Sequence, residues 1–356
     1  MEALPERIRI KDIARLAEVS VGTVDRVLHG RPGVSPASRE RVEAILQRFD
    51  YHPNMYASAL ASNKHYHFIC MIPSHVEGSY WCDIERGFHL AAETYKDFNI
   101  TITSVYYDSY NPVSFEECAT DLVQQHPDGV VLSPTFPQKA TLLADALHEA
   151  GIPYVFVDSN VGSLQPLAFF GQDSVKSGYF AGSMLMMQAF NKQMVVIFRH
   201  TRNGQAELMN QQKYREQGFR DYMVTRYPQC QILGVDIDVS LSESQVDTLL
   251  DRFFKEHPDV KNGITFNSQV NVIGGYLQRR NITDFCLLGY DMLEHNVKCL
   301  REGTVRFLIA QRPTLQGYNS IDSLCSSLIF HKEVTQLNYM PIDLLTVDNV
   351  DFYHER

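Results

Sequence analysis

Long apolar runs are missing from this 356-residue chain. No stretch of about 18 consecutive apolar residues occurs, so no membrane span is expected. The first residues, MEALPERIRIKD, are too polar for a secretory signal. Cysteine is sparse and scattered: positions 70, 82, 118, 230, 286, 299 and 325 hold seven in all, with no Cys-x-x-Cys pair. That spacing speaks against a disulfide framework and a zinc site, and points to a reducing cytoplasm. Basic residues are outnumbered, 32 Lys and Arg against 42 Asp and Glu, a formal charge of −10. Taken whole, that balance argues against a nucleic-acid partner. Nucleophile elbow, phosphate-binding glycine loop and dinucleotide fingerprint are also missing. No catalytic residue, metal or cofactor is therefore assigned.

The average charge conceals two regimes. Residues 1–64 carry ten basic and eight acidic side chains, and the remainder carry 22 and 34. A net of +2 thus precedes a net of −12. The basic segment is patterned as short helices. Ile10, Ile13, Ala14 and Ala17 repeat at helical spacing, and Val19-Ser20 breaks the run. Ser20 is placed to cap a second helix bearing Val24, Val27 and Leu28 on one face. Ser35-Pro36 opens a third, whose apolar face is Val42, Ile45, Leu46 and Phe49. Asn54 is placed to cap a last short helix ending near Ala61.

Three helices with a tight connection after the first suggest a helix-turn-helix. Its second helix would present Val21, Gly22, Asp25, Arg26 and His29 outward. Arg26 can reach a guanine edge or a phosphate, and the amides from Ser20 to Thr23 can bind a phosphate. The same pattern would suit a small helical cap whose basic groups are merely solvated.

From residue 66, short apolar strands alternate with amphipathic helices. Strands are expected at 67–72, 100–106, 129–133, 153–157, 168–171, 194–198, 231–237, 263–266, 285–289, 306–310 and 343–347. Helices are expected between them, for example at 83–97, 137–150, 174–190, 205–226, 268–280 and 313–330. Such alternation predicts α/β parallel sheets covered on both faces, and the length predicts two lobes. His126-Pro127-Asp128 and His257-Pro258-Asp259 each lead from a helix into a buried strand, an echo that suggests two similar halves. In open α/β sheets ligands bind beyond the carboxyl ends of strands. Polar residues found there are Asp158, Asn267, Ser268, Asp291 and Gln311, with Tyr80 and Trp81 beyond the first strand. Carboxylates, amides and aromatic faces together suit a carbohydrate.

The stretch from Ile8 to Leu60 resembles the DNA-binding headpiece of the LacI/GalR transcriptional regulators. The matches run in order through Lys11-Asp12-Ile13-Ala14, Val19-Ser20, Thr23-Val24, Arg26-Val27, Val34-Ser35, Arg39, Val42, Tyr51, Pro53-Asn54, Ala57 and Leu60. The resemblance implies contacts to double-stranded, palindromic operator DNA from Lys11, Ser20, Val21, Gly22, Thr23, Arg26, His29, Ser35, Asn54, Tyr56, Ala57 and Leu60. It implies that Leu60 lies on a hinge helix and wedges into the minor groove of a homodimer-bound site. Asp25 and His29 depart from the family's usual serine and asparagine. Residues 66–350 resemble the ribose-type periplasmic sugar-binding fold. That likeness implies sugar contacts by Tyr80, Trp81, Asp158, Arg215, Asn267 or Ser268, Asp291 and Gln311. Ser159 departs from an arginine common there.

The resulting expectation is a DNA-binding headpiece at 1–53, a hinge and linker at 54–65, and a ligand-binding and dimerisation domain at 66–356. Lobe one is expected at 66–171 with 312–342, and lobe two at 172–311 with 343–356. The function expected is a cytoplasmic, homodimeric, sugar-responsive regulator that represses transcription. The rivals are a sugar-processing α/β enzyme and a sugar-binding receptor.

Overall fold

A computed structural model describes residues 8–28, 30–49, 51, 56, 59–60, 64–202 and 210–354. The chain divides into two compact units, 1–63 and 64–356.

In the first unit, α1 (Ile10–Leu16), α2 (Val21–Leu28) and α3 (Pro36–Arg48) enclose a small core. Ile13, Ala14, Ala17, Val24, Val27 and Val42 fill it, all under 8% exposed. Side chains start these helices. The Asp12 carboxylate accepts from the Arg9 amide at 3.1 Å, and Ser20 Oγ accepts from the Thr23 amide at 3.2 Å. Ser35 Oγ accepts from the Ser38 amide at 3.2 Å, with Pro36 in the first helical position. Each bond satisfies an otherwise orphaned amide at a helix start.

The second unit holds two six-stranded sheets. The first is built from β1 (Tyr66–Pro73), β2 (Ile100–Tyr107), β3 (Gly129–Leu132), β4 (Tyr154–Val157), β5 (Ala168–Gly171) and β11 (Leu337–Tyr339). The second is built from β6 (Met194–Thr201), β7 (Gln231–Asp238), β8 (Asn262–Thr265), β9 (Cys286–Tyr290), β10 (Phe307–Ala310) and β12 (Asp343–Leu345). Their orders, β11-β5-β4-β3-β1-β2 and β12-β10-β9-β8-β6-β7, correspond strand for strand. Parallel pairing runs through both, except that β12 joins β10 antiparallel. The His-Pro-Asp echo precedes β3 in one sheet and β8 in the other, so it falls at equivalent strands. The strand β11 was not anticipated: Leu337 and Tyr339 are about half exposed, so no burial pattern marks it.

Helices cover both faces, as parallel sheets require. On the first sheet, α5 (Pro112–Gln124) and α6 (Pro137–Glu149) pack on one face, where Phe115, Leu122, Leu143 and Leu147 meet Ile69, Val130 and Phe156. The other face takes α4 (Tyr80–Thr94) and α12 (Pro313–Leu328). On the second sheet, α9 (Glu243–Glu256), α10 (Val270–Arg279) and α11 (Glu294–Arg301) share one core. There α7 (Ser174–Met187) and α8 (Asn210–Arg226) share the other, around Leu185, Phe219, Ile264 and Tyr290.

Two helix pairs approach unusually closely. A Cβ on Gly178 of α7 would sit 1.8 Å from the Arg215 carbonyl oxygen, and one on Gly218 of α8 1.8 Å from that of Val175. Between α4 and α12, a Cβ on Gly87 would lie 2.2 Å from Thr314 O, and one on Gly317 2.0 Å from Ile84 O. Only glycine permits such backbone contact. Each lobe therefore holds one tightly apposed helix pair.

Candidate functional site

Three chain segments pass between the sheets, after Gly171, after Ala310 and after Met340. Gln172 is 2% exposed and ties them together. Its Nε2 donates to Ala310 O at 2.9 Å and to Pro341 O at 2.7 Å. Its Oε1 accepts from Ser177 Oγ at 3.0 Å.

Beside these crossings lies a buried polar cluster drawn from both lobes. Asp158 follows β4 and Asp291 follows β9, strands that correspond in the two sheets. Both residues are left-handed, with φ of 69° and 73°. Each amide donates to the neighbouring strand end, Asp158 to Phe170 O and Asp291 to Ile309 O, both at 2.9 Å. Aspartate tolerates this conformation better than most side chains, and strained backbone of this kind gathers at functional sites.

The side chains are joined directly. Gln211 Nε2, on α8, donates to Asp158 Oδ1 at 2.6 Å and to Gln311 Oε1 at 3.0 Å. Gln311 Nε2 donates to Asp291 Oδ1 at 2.6 Å. Arg215 donates to Phe266 O at 2.9 Å, donates to Gln311 Oε1, and lies 3.9 Å over the Tyr290 ring. Its buried Nε has no partner among the described residues. Gln316 Oε1 accepts from the Asp158 amide at 3.1 Å, while its Nε2 donates to Gln311 O at 2.8 Å and Tyr80 Oη at 3.2 Å. Burial pushes the Asp158 carboxyl up to about 6, against the opposing pull of Arg215. Burial raises Asp291 as well, with Arg215 again opposing.

Among the residues singled out from sequence, Tyr80, Asp158, Arg215, Ser268, Asp291 and Gln311 come together here. Tyr80 opens α4, is 5% exposed, and meets half-buried Trp81 edge-on at 5.2 Å. Hydrogen bonding by Ser268 helps hold Asp291 down. Asn267 faces elsewhere: its Nδ2 is 3.0 Å from His200 Nδ1, and its Oδ1 accepts from the Gln269 amide. Burial holds the His200 imidazole down at about 4. Gln211 and Gln316 were not foreseen. Gln211 lies four residues before Arg215, one helical turn along the same face, which was an available signal.

In the first unit, Lys11, Ser20, Val21, Gly22, Arg26 and Ser35 are exposed and Thr23 is half-buried. The Asp25 carboxylate accepts from Arg31 Nη1 at 3.2 Å, which offsets its charge on this face. Tyr56 and Leu60 are helical and about half exposed. His29, Asn54 and Ala57 lie outside the described residues.

Two corresponding α/β lobes, three crossings and a polar cluster between them define a bilobal sensor of the periplasmic-binding type, here preceded by a helix-turn-helix unit. The chain belongs to the periplasmic binding protein domain family, matched over residues 69–332. Residues 9–54 match the bacterial regulatory proteins of the lacI family. A candidate LacI transcriptional regulator from Bacteroides fragilis is 52% identical in its solved structure, with a TM-score of 0.79, covering 82% of this chain and all of that one. Catabolite control protein A of Staphylococcus xylosus is 29% identical over 154 residues, 43% of this chain and 44% of that protein. Its Staphylococcus epidermidis counterpart is 30% identical over 149 residues, 42% of this chain and 43% of that protein. The chain thus spans less than half the length of these two relatives. A glucose-galactose binding protein from Geobacillus stearothermophilus shares the fold, at 18% identity and a TM-score of 0.69 over 81% of this chain and 99% of that one.

Proposed function

We propose that this chain is a sequence-specific transcription regulator, acting as a repressor in the cytoplasm, whose operator affinity is set by a small polyhydroxyl effector held between its lobes. The observation that carries the reading is the joining of donors and acceptors from both lobes, Gln211 to Asp158 above all, in a chain that also bears a lacI-type headpiece. A ligand that replaces these bonds changes the relation of the lobes, since it contacts both.

In this reading residues 1–53 bind major-groove half-sites, with Val21, Gly22 and Arg26 of α2 facing the base edges. Lys11, Ser20, Thr23, His29 and Ser35 serve the adjoining backbone. Residues 54–65 form the hinge, where Asn54, Tyr56, Ala57 and Leu60 meet the minor groove. Residues 66–356 bind effector and pair two chains into a dimer matched to a palindromic site. The effector is sensed and released unchanged rather than transformed.

The test is binding to palindromes near the protein's own gene, with and without candidate sugars. A salt-dependent preference for one palindrome, altered by one sugar, is expected. Indifference to every palindrome removes the regulator reading. Recovery of a modified sugar after prolonged incubation removes the sensor reading and favours an enzyme.

A further inference from the structure

The charge balance of the interlobe cluster restricts what it can hold. Asp158 and Asp291 are each 4% exposed and Arg215 is 1% exposed. Arg215 is the sole buried lysine or arginine among the described residues, so with both carboxylates ionised the cluster carries one negative charge in excess. Its guanidinium is engaged by neutral groups, the Phe266 carbonyl, the Gln311 amide oxygen and the Tyr290 ring. Each carboxylate accepts one side-chain amide, Gln211 on Asp158 and Gln311 on Asp291, and one side-chain hydroxyl, Tyr80 on Asp158 and Ser268 on Asp291. A carboxylate offers about four acceptor sites. The cluster is therefore rich in acceptors and already negative.

The geometry points to an uncharged, hydroxyl-rich effector, a free aldose, ketose or polyol, and to rejection of phosphate esters and uronates of the same skeleton. This rests on the sensor reading above and adds the charge class of its ligand. Hydroxyls would replace the Gln211 and Gln311 amides as donors to the two carboxylates without adding charge. An anionic substituent would bring a second negative charge into a site withdrawn from water, where unpaired charge is costly.

The experiment is a thermal-shift titration of the full chain with matched series: an uncharged sugar, its phosphate ester and its uronate. Stabilisation confined to uncharged members is expected. The same titration on the Asp158→Asn, Asp291→Asn double variant tests the cause. Asparagine keeps a similar shape and reverses the excess charge. Discrimination against the anions should then fall by about tenfold or more, the scale of a nearby charge removed at an effective dielectric of about 20. A phosphate ester or uronate that stabilises the unaltered protein as well as its parent sugar overturns the inference and leaves the sensor reading standing. Unchanged discrimination in the double variant also overturns it, by placing the rejection elsewhere. Stabilisation by no member of any series removes the polyhydroxyl-sensor reading, and this inference with it. A circular-dichroism melt of the double variant confirms that it is folded.

Discussion

Asp158 and Asp291 occupy costly positions, being left-handed in backbone and withdrawn from water. The cost of Asp158 can be read as pH dependence. Its carboxyl is pushed up to about 6 by burial, above the ordinary value near 3.8, so the folded chain binds more protons than the unfolded chain between those two pH values. Stability from this group is fully present below about 3.8 and is lost as pH rises through about 6. Asp158→Asn should remove that dependence, because asparagine does not titrate, and its amide oxygen can still accept from Gln211. The variant should melt higher than the parent at pH 8, by an amount corresponding to about 1–3 kcal/mol, and much the same at pH 4. Stabilisation by effector should weaken but persist, since the amide oxygen still accepts a hydroxyl. A lower melting temperature at pH 8 would refute the account. Leu60 presents a different residue-scale case: it is 52% exposed, so Leu60→Ala removes little packing within its own chain. Operator affinity should drop by about tenfold or more if the side chain unstacks a base step, with no change in melting temperature. An unaltered DNA bend angle in the variant excludes the wedge.

At the scale of elements, the glycine-apposed helix pairs explain how the cluster is held. The contact of Gly178 with the Arg215 carbonyl fixes the height of α8 on the sheet, and α8 carries both Gln211 and Arg215. Gly178→Ala must move the two backbones apart, since the clash is with main chain rather than a flexible tip. We expect a stability loss of about 1–3 kcal/mol together with weaker effector binding. The surface change Val224→Ala, on the same helix at a 69% exposed position, should alter neither. Effector affinity retained in Gly178→Ala would show that the pair is structural only. The elements themselves were largely legible in the sequence. Gly129-Val130-Val131-Leu132 reads as a buried strand because all four residues lie inside. Leu337-Asn338-Tyr339 does not, because an edge strand of three half-exposed residues has no period to detect. Strand-end aspartates stand out at the carboxyl ends of apolar runs. Gln211 and Gln316 do not, because a glutamine in a helix looks the same whether it meets solvent or a buried polar group. Which amide meets which acid depends on the chain crossings, and these are settled by contacts between distant residues.

The charge asymmetry belongs to the whole molecule: residues 1–64, with a net of +2, are joined to a body of −12. A body of that sign repels DNA, so affinity has to come through the headpiece, and non-specific binding should be weak. In the regulator proposed above, communication from effector to headpiece passes through the movement of the lobes. Gln172 is the side chain that binds all three crossings. Gln172→Ala leaves Ala310 O and Pro341 O without that donor in a buried setting, at a cost of about 1–3 kcal/mol for each group left unsatisfied. It leaves Asp158, Asp291 and Arg215 in place, so intrinsic sugar recognition persists while the linkage between the lobes loosens. Coupling is reciprocal: the factor by which effector changes operator affinity must equal the factor by which operator changes effector affinity. Both should be measured on the parent and on Gln172→Ala. In the parent the two factors should agree and differ from one. In the variant they should still agree, yet lie closer to one, with effector affinity in the absence of DNA changed less than the coupling. Equal coupling in both proteins would show that the three-way tie at Gln172 has no part in transmission.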